Sequence, residues 1–246
     1  MSANNHKITS VPKVAQEDSL PQATVDETLR GILSPITLED VESLRQEMQN
    51  IGIQYGEFTL SSGEQSNYHY DGKRVILRPG WAILMSRILT DIVLQTEAEA
   101  IGGMAIGAVP IAQAVSIIAW LQGAREIPSF VVRKEQKAHG RLDKIAFAYR
   151  SDGKPMLESG TKVAIVDDVV TKGGSINQTI AEVEGLGCRV VLVAVLVERH
   201  EGGGLAIKER GYNFRRLFYT DASGNLMIDD ELSARYSGPA GERVLR

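Results

Sequence analysis

Apolar residues recur along the chain in two patterns that alternate. In the first, they fall three and four positions apart, which indicates amphipathic helices over 38–51, 81–93, 110–121 and 175–186. In the second, short continuous apolar runs indicate strands over 100–106, 129–132, 162–166 and 190–197. Because continuously apolar strands are buried on both faces, we predict an α/β fold with a central, mostly parallel sheet flanked by helices.

The two ends of the chain depart from this alternation. Residues 1–33 are polar and lack sustained periodicity, so we expect a mobile N-terminal extension with a short helical stretch over 26–33. The main domain is expected over 34–236, and 237–246 is expected to form a C-terminal tail. Two β-like stretches, 56–60 and 66–71, lie near the start of the main domain.

Composition narrows the class of protein. The chain has 27 Lys and Arg against 31 Asp and Glu, a net charge of −4, which argues against a dedicated nucleic-acid binder. Its single cysteine, Cys188, cannot form an intramolecular disulfide, which suits a reducing cytoplasm. The N-terminal stretch has no apolar core of signal-peptide length, and no apolar run approaches the ~18 residues of a membrane span. We therefore expect a cytoplasmic protein with neither a nucleic-acid nor a membrane partner.

The segment KVAIVDDVVTKGGS, residues 162–175, carries the most chemical information. Its apolar strand is predicted to end in Asp167 and Asp168, and a glycine-containing turn then opens the next helix. Such a turn lets several backbone N–H groups approach one anion, which the helix dipole also favours, so the turn is a candidate phosphate cradle. The two carboxylates would repel that phosphate but can accept hydrogen bonds from sugar hydroxyls. A 5-phosphorylated ribose satisfies both; alternatively, the acids merely end a strand and the glycines form a plain turn.

This segment resembles the phosphoribosyl pyrophosphate (PRPP) binding motif of type I phosphoribosyltransferases. Two further segments resemble the orotate phosphoribosyltransferases within that family. GEFTLSSGEQSNYHYD, residues 56–71, is similar to their hood, and VRKEQKAHG, residues 132–140, is similar to their mobile catalytic loop. The resemblance covers about residues 36–220. It implies the type I phosphoribosyltransferase fold with a small N-terminal hood over about 34–75.

The resemblance also implies an activity and its partners. The 5-phosphoribosyl group of PRPP would be transferred to orotate, giving orotidine 5′-phosphate and pyrophosphate in pyrimidine biosynthesis. Magnesium would take part, held mainly by substrate oxygens and water rather than by protein side chains. The enzyme would be a homodimer in which the catalytic loop of one subunit reaches the site of the other.

The same resemblance assigns roles to individual residues. The catalytic candidates are Arg133, Lys134, Lys137 and His139. The candidates for binding ribose and the 5-phosphate are Asp167, Asp168, Val169, Val170, Thr171, Lys172, Gly173, Gly174 and Ser175. The candidates for binding orotate are His69, Tyr70, Thr171 and Arg199.

Simpler interpretations stay open for several of these segments. The basic loop could be a solvated surface loop, the aromatic residues of 66–71 could be ordinary core, and the 106–110 segment could be a plain turn rather than a pyrophosphate-binding loop. Arg199 could be a surface arginine that ends its strand. The chain also has Ser61 and Gly107 where family members often carry charge, and Lys73 and Arg74 are candidates to replace the missing charge near Ser61.

Two other functions stay open as well. One is phosphoribosyl transfer to a different base, such as a purine or uracil. The other is a non-catalytic regulator that senses PRPP.

The catalytic-loop assignment yields a kinetic prediction. Replacing Lys137 with Ala should lower kcat far more than it weakens PRPP binding, because the lysine is assigned to charge that develops as pyrophosphate departs. Steady-state kinetics together with a direct binding measurement would check this. Equal losses in turnover and binding would contradict a role specific to the transition state.

Overall fold

The computed structural model describes residues 31–59, 65–134 and 144–238. The chain divides into two compact units, Met1–Ser34 and Pro35–Arg246. Of the first unit the structure describes 31–34, and 31–33 are helical, within the stretch that the sequence predicts to be helical. The remainder of that predicted helical stretch, 26–30, lies outside the described residues, as does most of the predicted tail. All that follows concerns the second unit.

A small antiparallel sheet forms the hood. Its strands are β1, Ile53–Thr59, and β2, Gln65–Tyr70, with Ile53 paired to Tyr70 and Tyr55 to Tyr68. Burial alternates along β2, so that Tyr68 and Tyr70 enter the core while His69 points to the other face. The sequence places two β-like stretches here, and the structure lengthens the first of them to begin at Ile53.

The second sheet has seven strands in the order β5-β4-β3-β6-β7-β8-β9. The pairs from β4 through β3, β6 and β7 to β8 are parallel, and the edge strands β5 and β9 pair antiparallel. This mostly parallel sheet confirms the predicted fold class. The strands are β3 Ala100–Met104, β4 Ser129–Val132, β5 Ile145–Phe147, β6 Lys162–Val170, β7 Arg189–Glu198, β8 Phe214–Thr220 and β9 Leu226–Ile228.

Seven helices connect and cover the strands of the second unit in its described part. Thr37 begins the first with a capping box: its hydroxyl accepts from the Asp40 backbone N–H, and Asp40 accepts from the Thr37 N–H in return. That helix, predicted to reach residue 51, ends at Glu47 and continues as the π-helical turn Met48–Gly52. The helices are α1 Leu38–Glu47, α2 Lys73–Ile76, α3 Pro79–Val93, α4 Ala108–Leu121, α5 Gly174–Gly185, α6 Gly203–Glu209 and α7 Asp230–Tyr236.

The core lies on both faces of the large sheet. Along β6, Val163 and Ile165 belong to one buried cluster, and Ala164 and Val166 belong to the other. The first cluster packs against α5 and α6, and the second against α1, α3 and α4. A strand with apolar side chains on both faces is the physical reason for its uninterrupted apolar sequence.

Strand β6 runs further than its apolar residues predict. The sequence places its end at Val166, whereas the structure continues the strand to Val170. The extension follows from β7, whose residues Val195 and Val197 pair with Asp167 and Val169 and supply backbone partners beyond the apolar run. The two aspartates therefore lie within a strand, not after it.

The outer edge at β9 is covered by α1. The guanidinium of Arg45 donates to the carbonyl oxygen of Leu226 at 3.1 Å. The backbone N–H of Leu226 donates to the amide oxygen of Gln49 at 2.6 Å. Side chains of α1 and of the π-helical turn after it thus take up the outward-facing donor and acceptor of an edge-strand residue.

The close approach of β3 to β6 generates a stability prediction. A Cβ atom on Gly103 would lie 2.2 Å from the carbonyl oxygen of Val166 and 2.5 Å from the Cβ of Ala108. Gly103→Ala should therefore lower the free energy of unfolding by about 1–3 kcal/mol through overpacking, as measured by urea denaturation.

Gly80→Ala is the matched control, because a Cβ atom on Gly80 meets open space and the residue lies in the first turn of α3. This control should be neutral or stabilising by up to about 1 kcal/mol. Equal stability of the two variants would contradict the steric argument.

Candidate functional site

Two adjacent carboxylates lie near the carboxyl end of β6. Asp167 is 7% exposed and Asp168 is 5% exposed, so both are almost fully buried. Asp167 accepts from the Ser175 hydroxyl at 2.7 Å and from the Asp168 backbone N–H at 3.0 Å. Asp168 accepts from Nζ of Lys73 at 3.1 Å. Each acid therefore has its own donor, one from the turn that follows the strand and one from the hood.

Burial is the largest influence on the ionisation of Asp167. Together with the neighbouring charge of Asp168, burial raises the pKa of Asp167 from its ordinary value of 3.8 to about 7, and the hydrogen bonds from Ser175 and the backbone oppose the rise. The pair thus holds a proton close to neutral pH. A ligand that brings hydroxyl donors would favour the ionised form by replacing the lost water.

The turn after β6 presents backbone donors at the same end of the sheet. Gly173 has φ +82°, a left-handed conformation that glycine adopts at little cost, and it directs the chain into α5. The first N–H groups of α5 have no acceptor within the helix because of their position. With the positive end of the helix dipole, these groups are a candidate anion-binding turn at the position that the sequence predicts.

A cavity of about 590 Å³ connects these groups to the hood. It brings together ten of the residues singled out from the sequence: His69, Tyr70, Lys134, Val169, Thr171, Lys172, Gly173, Gly174, Ser175 and Arg199. Asp167 and Asp168 are not part of the lining, but Asp167 accepts from the hydroxyl of Ser175, which is. Sequence positions more than a hundred residues apart therefore line one space.

The aromatic residues of β2 combine two roles that the sequence left as alternatives. Tyr70 is 4% exposed and packs in the core, yet it also lines the cavity, and its hydroxyl has no hydrogen-bond partner among the described residues. Burial, and then the charges of Asp168 and Asp71, hold the pKa of that hydroxyl well above its usual range. His69 lies on the outer face with its ring centroid 5.6 Å from that of Phe58.

Arg199 follows β7 and is buried, being 5% exposed, so the alternative of a surface arginine is wrong. Its guanidinium lies over the ring of Tyr68, 4.4 Å from the centroid, and Nη2 donates to the Ser66 hydroxyl at 3.1 Å. Its Nε lies 3.1 Å from Oε1 of Glu201 in an ion pair. A buried, aromatic-backed guanidinium of this kind is suited to bind a planar carboxylate.

The 105–107 turn contacts the carboxylates directly. The peptide bond between Ala105 and Ile106 is cis. A Cβ atom on Gly107 would lie 2.5 Å from Oδ1 of Asp168 and 3.0 Å from Oδ1 of Asp167. Glycine at this position therefore leaves room for both acids, which places the turn at the site rather than at a remote connection.

Four residues that line the cavity were not among the candidates from the sequence, namely Thr59, Met104, Gln178 and Glu201, and one neighbouring acid lies elsewhere. Glu201 lines the cavity beside Arg199, and its position two residues after that arginine at a strand end is the signal that could have found it. Met104 lines the cavity at the end of β3, where only a core role was apparent. Glu198, for which the sequence suggested no role, is structural, because it accepts from Arg216 at 2.6 Å and from the Gly204 N–H at 2.9 Å.

The basic-loop candidates are only partly described. Lys134 lines the cavity, and the backbone N–H of Arg133 donates to the carbonyl oxygen of Lys144 at 2.9 Å. Lys137 and His139 lie outside the described residues, as does Ser61. Across 31–59, 65–134 and 144–238, no group of three or more His, Cys, Asp or Glu side chains is arranged to hold a metal ion. In those same ranges, none of the helices is both long and apolar enough to cross a membrane.

Comparison with known proteins shows the family to which the chain belongs. A family model for the phosphoribosyl transferase domain matches residues 78–209. The chain is 35% identical over 184 residues to an orotate phosphoribosyltransferase of Rhodopirellula baltica, covering 72% of this chain and 91% of that protein.

Solved structures give the same picture. Mycobacterium tuberculosis orotate phosphoribosyltransferase in complex with Fe(III) dicitrate matches with a TM-score of 0.61 and 29% identity, covering 75% of this chain and 99% of that one. The same enzyme in complex with PRPP matches with a TM-score of 0.56 and 27% identity, covering 72% and 94%. The chain therefore belongs to the phosphoribosyltransferase family. Within that family its similarity is to the orotate phosphoribosyltransferases, which confirms the resemblance carried by its motifs.

The raised pKa of Asp167 generates a prediction about stability and pH. The folded state binds this proton more tightly than the unfolded chain, so the associated stability is fully present below about pH 4 and is lost as the pH rises towards 7. Asp167→Asn removes the buried charge. It should raise the free energy of unfolding by about 1–2 kcal/mol at pH 8 and leave it little changed at pH 4, by urea denaturation.

Asp152→Asn is the control for this experiment, because Asp152 is an exposed acid in a turn. Its effect should not depend on pH over the same range. If the effect of Asp167→Asn on the free energy of unfolding were also independent of pH, the charge of the carboxylate pair would not destabilise the folded state.

Proposed function

We propose that this protein transfers the 5-phosphoribosyl group of PRPP to orotate, releasing orotidine 5′-phosphate and pyrophosphate. The observation that carries the proposal is that one cavity joins an anion-binding turn to a buried guanidinium, with a carboxylate pair beside it. A sugar phosphate and an anionic, planar base are complementary to these features. Such a reaction is a step of pyrimidine biosynthesis.

The sugar-phosphate half of the site lies on β6 and the turn that follows it. The N–H groups from Gly173 to Ser175 and the Thr171 hydroxyl bind the 5-phosphate, supported by the dipole of α5. Asp167 and Asp168 accept hydrogen bonds from the two ribose hydroxyls. Val169 and Lys172 line the same cavity, whereas Val170 is buried in the core and supports the segment from behind.

The base half lies between the hood and the end of β7. Tyr70 and His69 offer aromatic surface to the pyrimidine ring, and the Thr171 hydroxyl offers a polar contact. Arg199 pairs with the carboxylate of orotate. Arg199 already forms an ion pair with Glu201. The orotate carboxylate therefore binds Arg199 beside Glu201 or in its place.

The reaction then depends on alignment and on charge. The bond between the ribose C1 and the pyrophosphate oxygen breaks as the orotate ring nitrogen, losing its proton, bonds to that carbon. The proton of the ring nitrogen passes to the released pyrophosphate. Holding orotate and pyrophosphate on opposite sides of C1 lowers the entropic part of the barrier. Positive charge on the sugar is stabilised by the carboxylates, and negative charge on pyrophosphate by the basic residues Arg133, Lys134, Lys137 and His139.

Magnesium is proposed as the cofactor. Carboxylate, hydroxyl and diphosphate oxygens are its preferred ligands, and the acids of the site are occupied by Lys73 and Ser175, so the substrate and water would supply most of its coordination. When bound, the ion compensates the charge of the departing pyrophosphate.

The family supports a homodimer in which each catalytic loop serves the neighbouring site. We propose this assembly on the basis of the family resemblance. We also propose a cytoplasmic location, which suits a chain with a single cysteine.

The test of the proposed function compares bases that differ by one group. Orotate and uracil differ only in the carboxylate assigned to Arg199. The wild-type protein, with magnesium, should release pyrophosphate from PRPP with orotate and should use uracil poorly. Arg199→Met should raise the KM for orotate by about 10–100-fold and change the KM for PRPP much less, because a charge-assisted contact is lost.

Arg215→Met serves as the control, since Arg215 pairs with Glu231 on the surface of β8 away from the cavity. It should leave both KM values within about twofold. Preferential turnover of a purine or of uracil would assign the protein to another base. PRPP binding without turnover of any base would favour the regulator.

A further inference from the structure

Lys73 connects the hood to the carboxylate pair. It is the first residue of α2, three positions after the last residue of β2. Its Nζ lies 3.1 Å from Oδ2 of Asp168 and 3.0 Å from Oδ1 of Asp71. Asp71 of the hood thus forms an ion pair with Lys73, and Lys73 forms a second ion pair with Asp168 of the large sheet.

The contact answers an electrostatic need of the site. Two neighbouring carboxylates are nearly excluded from water, and Ser175 supplies only a neutral hydroxyl to Asp167. Lys73 brings a full positive charge. Burial lowers the pKa of Lys73, but the hydrogen bonds and charges of Asp71 and Asp168 outweigh burial and raise it, so the ammonium stays charged.

The opposite side of the carboxylates has no room for such a cation. A Cβ atom on Gly107 would already lie 2.5 Å from Oδ1 of Asp168. A lysine in this turn would have to displace the acid that it was meant to pair with. In the described part of the chain the pair receives a positive charge from the hood side instead, through Lys73.

We propose that Lys73 is a positioning residue for the donor substrate: it fixes the Asp168 carboxylate in the orientation that binds a ribose hydroxyl. This rests on the proposed function of the site. The hood then contributes to both substrates through separate residues, to the base through Tyr70 and to the sugar through Lys73. Loss of Lys73 should therefore weaken binding of the sugar phosphate and leave binding of the base unchanged.

The first test measures binding without catalysis. Isothermal titration calorimetry with ribose 5-phosphate should give a Kd about tenfold higher for Lys73→Met than for the wild type, because a charged hydrogen bond that orients Asp168 is lost. Lys73→Arg should recover most of the affinity. Arg78→Met is the control: Arg78 precedes α3, pairs with Glu47 and makes no ion pair with Asp71 or Asp168, so its Kd should stay within about twofold.

A double-mutant cycle separates positioning from a general effect on the fold. If Lys73 acts through Asp168, Lys73→Met in an Asp168→Asn background should cause no further loss of ribose 5-phosphate affinity. Additive losses, or a Lys73→Met effect no larger than that of Arg78→Met, would overturn the proposal. Thermal unfolding of each variant checks folding, and Lys73→Gln replaces Lys73→Met if the latter is unfolded.

Steady-state kinetics distinguishes this proposal from the proposed function. In Lys73→Met, the KM for PRPP should rise by about tenfold while the KM for orotate stays within about twofold. Wild-type protein without orotate turnover would refute the proposed function. Wild-type turnover together with an unchanged KM for PRPP in Lys73→Met would refute the positioning role alone.

Discussion

The organisation of the site follows from one constraint: two like charges are held side by side in a buried strand. Asp167 and Asp168 occupy consecutive positions of β6, so their side chains start towards opposite faces and require separate partners. Ser175 meets one acid from the phosphate turn, and Lys73 meets the other from the hood. The turn after β6 and the hood supply hydrogen-bond donors to this pair, and Gly107 leaves room for it.

This constraint explains why the hood and the sheet act as one site although they are separate sheets. The hood reaches the large sheet through Lys73 at one acid and through Ser66 and Tyr68 at Arg199. Each contact joins a charged residue of the large sheet to a partner in β2 or directly after it. The hydrophobic packing of Tyr68 and Tyr70 holds β2 in place, and the polar groups alongside them determine what the cavity can bind.

The sequence predicts those strands of the sheet that are apolar throughout. It predicts those parts of the site whose functional residues are consecutive in the chain. Strands β3, β4, β6 and β7 follow from their apolar runs, whereas β5 and β9, of three residues each, are too short to show a period. Strand β8 was missed because Arg215 and Arg216 interrupt its apolar pattern. Contacts between distant segments, such as Glu201 with Arg199 or Gly107 with the acids, depend on the fold and leave little local signal.

The covered edge at β9 has a consequence for how the protein behaves in concentrated solution. An open edge of a β-sheet is a template on which a second chain can add a strand, and growth by this route leads to fibres. Here the outermost strand is only Leu226–Ile228, and Arg45 and Gln49 already occupy backbone groups of its first residue. Polymerisation along this border is therefore blocked for as long as α1 stays folded against it, and local unfolding of that helix would be the step that exposes the protein to aggregation.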